Sequence, residues 1–127
     1  MDVRGIGVDV AELGRIEGVL SRQARFVERV FTQEEAAYCE SRGVGRAACY
    51  AGRWAAKEAC IKALGGIPGW RWHDMRVERA RSGAPEIRLA GAARHRAEVL
   101  GVDRVLVTIS HERSVAVAVC LALGPGA

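Results

Sequence analysis

Ala51-Gly52-Arg53-Trp54-Ala55-Ala56-Lys57-Glu58-Ala59-Cys60-Ile61-Lys62-Ala63-Leu64-Gly65 is the stretch whose reading decides the fold. It is rich in Ala and Leu and has no internal Pro. Gly65-Gly66-Ile67-Pro68-Gly69 comes next, a run that ends helices and begins turns. Gly52 costs a helix about 1 kcal/mol relative to Ala, so the Ala-rich residues after it must carry the helix, which reads from about Arg46 to Leu64. Residues four apart share a helix face, which sets Arg53 beside Lys57 and Glu58 beside Lys62. Four charges on so apolar a helix call for a chemical reason.

Upstream of that helix, Val3 to Val10 reads as a buried strand, and Ala11 to Leu20 as a helix with Leu13, Ile16, Val19 and Leu20 at helical spacing. Asp9, closing Gly5-Ile6-Gly7-Val8-Asp9, is then expected at a strand-to-helix junction. Ser21 to Phe31 is basic, with Arg22, Arg25 and Arg29 around Phe26. Thr32 and Glu35 stand at capping-box spacing and open a short helix through about Ser41. Downstream, Trp72 to Ala80 reads as a strand with Trp72 in the core. Ser82-Gly83-Ala84-Pro85 is its turn and Glu86 to Leu89 its antiparallel mate. Ala92 to Leu100 is helical. Val105 to Ser110 and Val115 to Leu123 are strands separated by the polar turn from His111 to Ser114. The order predicts an α+β fold, a mainly antiparallel sheet with long helices packed on it.

The 127 residues fit one domain, 1–127, long enough to bury roughly two-thirds of the unfolded surface. No apolar run approaches the ~18 residues that span a bilayer, and no signal-peptide pattern opens the chain, so a cytoplasmic protein with no membrane partner is expected. In that compartment Cys39, Cys49, Cys60 and Cys120 read as reduced packing residues. They form no C-x-x-C pair, and the three histidines do not join them at zinc spacing. The net charge of +4 implies an acidic partner. The basic residues are spread from Arg4 to Arg113 without interleaved stacking aromatics, which argues against nucleic acid.

Taken singly, the charged residues have plain explanations. An Asp after a strand is more often a turn or cap residue than a ligand. A Glu58–Lys62 pair is more often an exposed i,i+4 ion pair worth a few tenths of a kcal/mol, and a histidine in a hairpin turn is usually just exposed. Together they describe something more specific. Mg²⁺ is satisfied by one or two carboxylates plus substrate phosphates, a count that Asp9 and Glu58 supply. Lys62, Arg53 and His111 are the candidate cations for the phosphates.

The pattern Gly5-x-Gly7-x-Asp9, Arg15-Ile16, Phe31-Thr32-x-x-Glu35 and Gly52-Arg53-x-Ala55-Ala56-Lys57-Glu58-Ala59-x-x-Lys62-Ala63-x-Gly65, with Gly83-x-Pro85 and Ser110-His111 after it in order, closely resembles holo-[acyl-carrier-protein] synthase. That is the small trimeric branch of the 4′-phosphopantetheinyl transferases. The resemblance spans essentially the whole chain. It implies transfer of the 4′-phosphopantetheine arm of coenzyme A to a serine of an apo acyl carrier protein, as in fatty acid and lipid biosynthesis, releasing adenosine 3′,5′-bisphosphate. It further implies Mg²⁺ on Asp9 and Glu58, Lys62 on the diphosphate, and Arg53 and His111 on the nucleotide's phosphates, with Ser110 nearby. Asp9, Glu58 and Lys62 would then form the catalytic group. Arg15 looks like a contact to an acidic carrier, extended by Arg22, Arg25 and Phe26, and a homotrimer is implied by the same likeness. Gly65-Gly66-Ile67-Pro68 departs from the family's usual Gly-Thr-Gly on the loop set against adenine and diphosphate. A non-catalytic relative that grips a carrier or nucleotide is the alternative, and retention of Asp9, Glu58 and Lys62 speaks against it.

Overall fold

The computed structural model describes residues 1–126. In chain order it contains β1 (Asp2–Glu12), α1 (Leu13–Arg22), α2 (Phe26–Val30), α3 (Gln33–Glu40), α4 (Arg46–Ala63), β2 (Met75–Arg79), β3 (Pro85–Leu89), α5 (Gly91–Leu100), β4 (Arg104–His111) and β5 (Val115–Gly124). One antiparallel sheet has the order β1-β5-β4, and β2 and β3 form a separate antiparallel hairpin. The expected α+β architecture is therefore present, with its strands divided between two sheets.

Side-chain size along β5 explains how the main sheet receives α4. Ala116, Ala118, Cys120 and Ala122 alternate inward and are buried, while the bulkier Val115, Val117, Val119, Leu121 and Leu123 point to the other face. Opposite them α4 presents Ala51, Ala55, Ala56, Ala59 and Ala63, all buried. On β1 the approach is closest. A Cβ added at Gly7 would lie 2.7 Å from Ala63 N and closer still to Ala59 O, and one at Gly5 would run into Ala63 O. The two glycines are thus the condition for laying α4 against β1. The far face of the sheet has no cover among the described residues: Ile6, Val8 and Val10 are 66%, 52% and 57% exposed.

α4 is buried on its other sides as well. Lys57 is fully enclosed and donates to Glu35 Oε1 (2.9 Å), Met75 O (2.7 Å) and Trp72 O (3.2 Å). Glu35 completes the Thr32 capping box, accepting from Thr32 N at 2.7 Å, and its other oxygen accepts from Val77 N at 2.7 Å. One buried ion pair therefore ties α3, α4 and β2 together.

Several sequence expectations need correcting. β1 continues to Glu12 because Ala11 and Glu12 keep pairing with Ala116 and Val115, so Asp9 lies inside a strand and not at its junction with the helix. The basic segment contains a short helix, α2, closed around buried Phe26 and Val30. The strand expected from Trp72 begins only at Met75, since residues 72–74 form a 3₁₀ turn in which the Asp74 carboxylate accepts from Arg71 N. Trp72 is half-buried in an aromatic row, 5.1 Å from Trp54 and 4.5 Å from Trp70, and Trp54 in turn stacks on Phe26 at 5.1 Å. Cys39 and Cys49 are disulfide-bonded, with Cα atoms 5.3 Å apart, because the tight return from α3 into α4 brings them face to face. Spacing of single cysteines gives no sign of such a contact. Cys60 and Cys120 are free and buried, and burial pushes the Cys120 thiol up to about 12.

Candidate active site

Asp9 pairs with Ala118 and shares the α4-facing side of β1 with Gly7 and Ala11. Lys62, in the last turn of α4, reaches across and donates to Asp9 Oδ1 at 2.8 Å and to Val8 O at 3.2 Å. The Asp9 side chain is only 18% exposed, the Lys62 side chain 55%. The carboxylate is sheltered and the ammonium opens to solvent. The hydrogen bond from Lys62 to Asp9 raises the Lys62 pKa, so the lysine stays charged at neutral pH.

Glu58 lies one turn earlier on α4, and the i,i+4 ion pair that would explain it away is not made: Lys62 goes to Asp9. Burial first, and the charge of Asp9 second, hold the Glu58 carboxyl above the usual carboxylate range, opposed by Lys62 and Arg15. Asp9, Glu58 and Arg15 line one cleft of about 510 Å³ whose other walls include Phe26, Trp54 and Trp72. Two carboxylates thus share a half-enclosed space with a single lysine on one of them.

This donor set suits a hard divalent cation that keeps substrate oxygens and water among its ligands. Among the described residues no three His, Cys, Asp or Glu side chains converge on one point, which disfavours a closed all-protein cage. A cation between the two carboxylates would offset both the burial that chiefly raises Glu58 and the repulsion from Asp9 that adds to it. The residues fit Mg²⁺.

Arg53 belongs to a different place. It is 9% exposed, on the far side of α4, with its guanidinium 4.6 Å from the Tyr38 ring centroid. Arg79 and Arg42 approach the same ring at 4.4 and 5.5 Å. Burial lowers the Arg53 pKa, and Arg53 Nε is buried without a hydrogen-bond partner. Arg53, Arg76, Arg79 and Arg88 line a pocket of about 520 Å³ together with Glu34, Glu35 and Glu78, and Arg88 is paired with Glu78. Ser110 and His111 end β4 and do not line the Asp9 cleft. Their neighbour Ile109 packs on Gly52, where an added Cβ would sit 2.8 Å from Ile109 Cγ2, so they lie toward the half of α4 that carries Arg53. Within one chain, Arg53, Ser110 and His111 lie apart from the cleft that Asp9 and Glu58 line, whereas Lys62 is bonded to Asp9.

A model of the family described as the 4′-phosphopantetheinyl transferase superfamily matches residues 5–120. The chain belongs to that superfamily. It is 48% identical over 128 aligned residues to the holo-[acyl-carrier-protein] synthase of Anaeromyxobacter sp. (strain K), with 98% of each chain covered. Among solved structures, holo-ACP-synthase from Plasmodium yoelii superposes with a TM-score of 0.86 at 28% identity, covering 98% of both chains. The Helicobacter pylori holo-[acyl-carrier-protein] synthase in complex with coenzyme A gives a TM-score of 0.79 at 29% identity, covering 93% of this chain and 99% of that one. This is the family to which the sequence motifs pointed.

On the transferase surface, Arg15 stands in the cleft and Arg22 and Arg25 are exposed. Phe26 is only 6% exposed and stacked on Trp54, which makes it a wall of the cleft and removes it from an open docking face. Sequence reasoning missed Arg29 and Gln23 at the cleft mouth, the Tyr38–Arg79 surroundings of Arg53, and the Glu35–Lys57 pair. Only the last left a signal: a lysine on a helix with no polar face.

Proposed function

We propose that this chain transfers the 4′-phosphopantetheine arm of coenzyme A to a serine hydroxyl of an acidic apo acyl carrier protein in the cytoplasm, with Mg²⁺ held by Asp9 and Glu58. The observation that carries the reading is that Asp9 and Glu58 line one cleft while the exposed Lys62 bonds Asp9 from outside it, within a chain of this superfamily. Bound Mg²⁺ supplies neutralising charge to the diphosphate. Lys62, freed from Asp9, turns its ammonium to the departing phosphate, where charge builds as the bond breaks. The serine proton passes to a carboxylate of the pair or to water. The Arg53 recess takes a nucleotide phosphate, its unpartnered Nε being a donor that lacks an acceptor. Arg15, Arg22 and Arg25 steer the acidic carrier onto the cleft.

The same reading accounts for the uncovered sheet face. Ile6, Val8, Val10 and Leu106 form an exposed apolar surface of the kind that marks an interface, and a homotrimer built on it would bring one subunit's nucleotide-phosphate residues toward a neighbour's carboxylates. Asp9→Ala and Glu58→Ala test the assignment: each is expected to abolish transfer with circular dichroism and melting retained. Turnover near the wild-type rate in either variant would contradict the metal pair.

A further inference from the structure

Three residues beyond Lys62, past the end of α4, stand two left-handed glycines, Gly65 at φ 66° and Gly66 at φ 92°. Their N–H groups close the helix on Lys62 O (3.0 Å) and Ile61 O (2.9 Å), an arrangement that glycine alone adopts without strain. Two carbonyls at this end, Leu64 O and Gly66 O, are taken up by a side chain from elsewhere in the chain. Arg96 of α5 points its Nε between them, 3.1 Å from each. Its guanidinium lies over the turn, since a Cβ at Gly65 would be 3.6 Å from Arg96 Nη2. The hydrogen bonds and ion pairs among the described residues leave both Nη groups free, whereas Arg94 on the same helix pairs with Glu98.

The position matters because of the field there. The C-terminal end of a helix carries about half a negative charge together with outward carbonyls. A diphosphate approaching Lys62 must come up against that end of α4, and Lys62 is itself shared with Asp9. A permanently charged guanidinium docked on those carbonyls reverses the sign of the local field. It leaves a free N–H edge over the turn.

We infer that Arg96 is a positioning residue for donor binding: it fixes the Gly65–Gly66 turn and makes the C-terminal end of α4 receptive to the diphosphate of coenzyme A. The inference rests on the coenzyme A reading of the Asp9–Glu58–Lys62 site. The test is calorimetric titration of coenzyme A into the full-length protein without carrier, at low and high salt, for wild type, Arg96→Gln and Arg96→Lys. Steady-state KM for the carrier is measured alongside. Arg96→Gln should bind coenzyme A about fivefold more weakly at low salt, a loss that shrinks at high salt, with the carrier KM unchanged. Arg96→Lys, which keeps the charge, should recover most of the affinity. Unchanged affinity in Arg96→Gln, an equal loss in both variants, or a matching rise in carrier KM would overturn the inference. Wild-type protein that binds no coenzyme A would overturn the underlying reading as well, and the wild-type titration separates the two failures.

Discussion

Replacing Lys57 by Met keeps most of the side-chain volume and removes three hydrogen bonds at once, the buried ones to Glu35 and Met75 O and the part-buried one to Trp72 O. Glu35, itself 2% exposed, would retain only the backbone donors of Thr32 and Val77. Breaking a buried ion pair by deleting one partner costs about 3–5 kcal/mol, against a total stability of about 5–15 kcal/mol for a domain. The variant is therefore expected to lose about 3–5 kcal/mol, a fifth or more of its stability, in urea unfolding at pH 7 with an unchanged m-value. A loss below about 1 kcal/mol at pH 7 would refute the reasoning.

Gly7→Ala forces a methyl against the backbone of Ala59 and Ala63 and should cost about 1–3 kcal/mol. It should also slow transfer, because α4 must shift away from Asp9; a melting temperature within a degree or so of wild type would show that the close approach is unnecessary. Glu58→Gln should raise the stability of the metal-free protein at neutral pH while abolishing transfer. A raised pKa marks a carboxylate whose charge opposes folding once pH exceeds it, and a lower melting temperature would contradict that sign. Val8→Asp places a charge on the exposed sheet face and should yield monomers by light scattering where wild type is expected to run as a trimer. Monomeric wild type, or a trimeric variant, would remove that face from any interface.

Local signals carried much of this architecture. The apolar strand from Val115 to Leu123, the capping box at Thr32 and the glycine stop at Gly65 are all local patterns, and each appears where the pattern puts it. Asp9, Glu58 and Lys62 were legible as a group through their motif; Asp9 and Glu58 share the cleft, and Lys62 joins them through its bond to Asp9. What escaped sequence reasoning depends on contacts between distant segments. The Cys39–Cys49 bond arises from the angle between two helices. The turn at Trp72 arises from backbone carbonyls drawn onto buried Lys57. The burial of Phe26 comes from a stack with Trp54, 28 residues away in the chain. Periodicity and spacing contain none of these.

The most direct test of the central claim is intact-mass spectrometry of an apo acyl carrier protein incubated with this protein, coenzyme A and Mg²⁺, beside a chelated control. The account predicts that the carrier gains one phosphopantetheine, about 340 Da of covalent mass, and that the gain disappears with chelator or with Glu58→Ala. A folded protein that leaves the apo carrier's mass unchanged, or adds the group equally well with the metal removed, would contradict it.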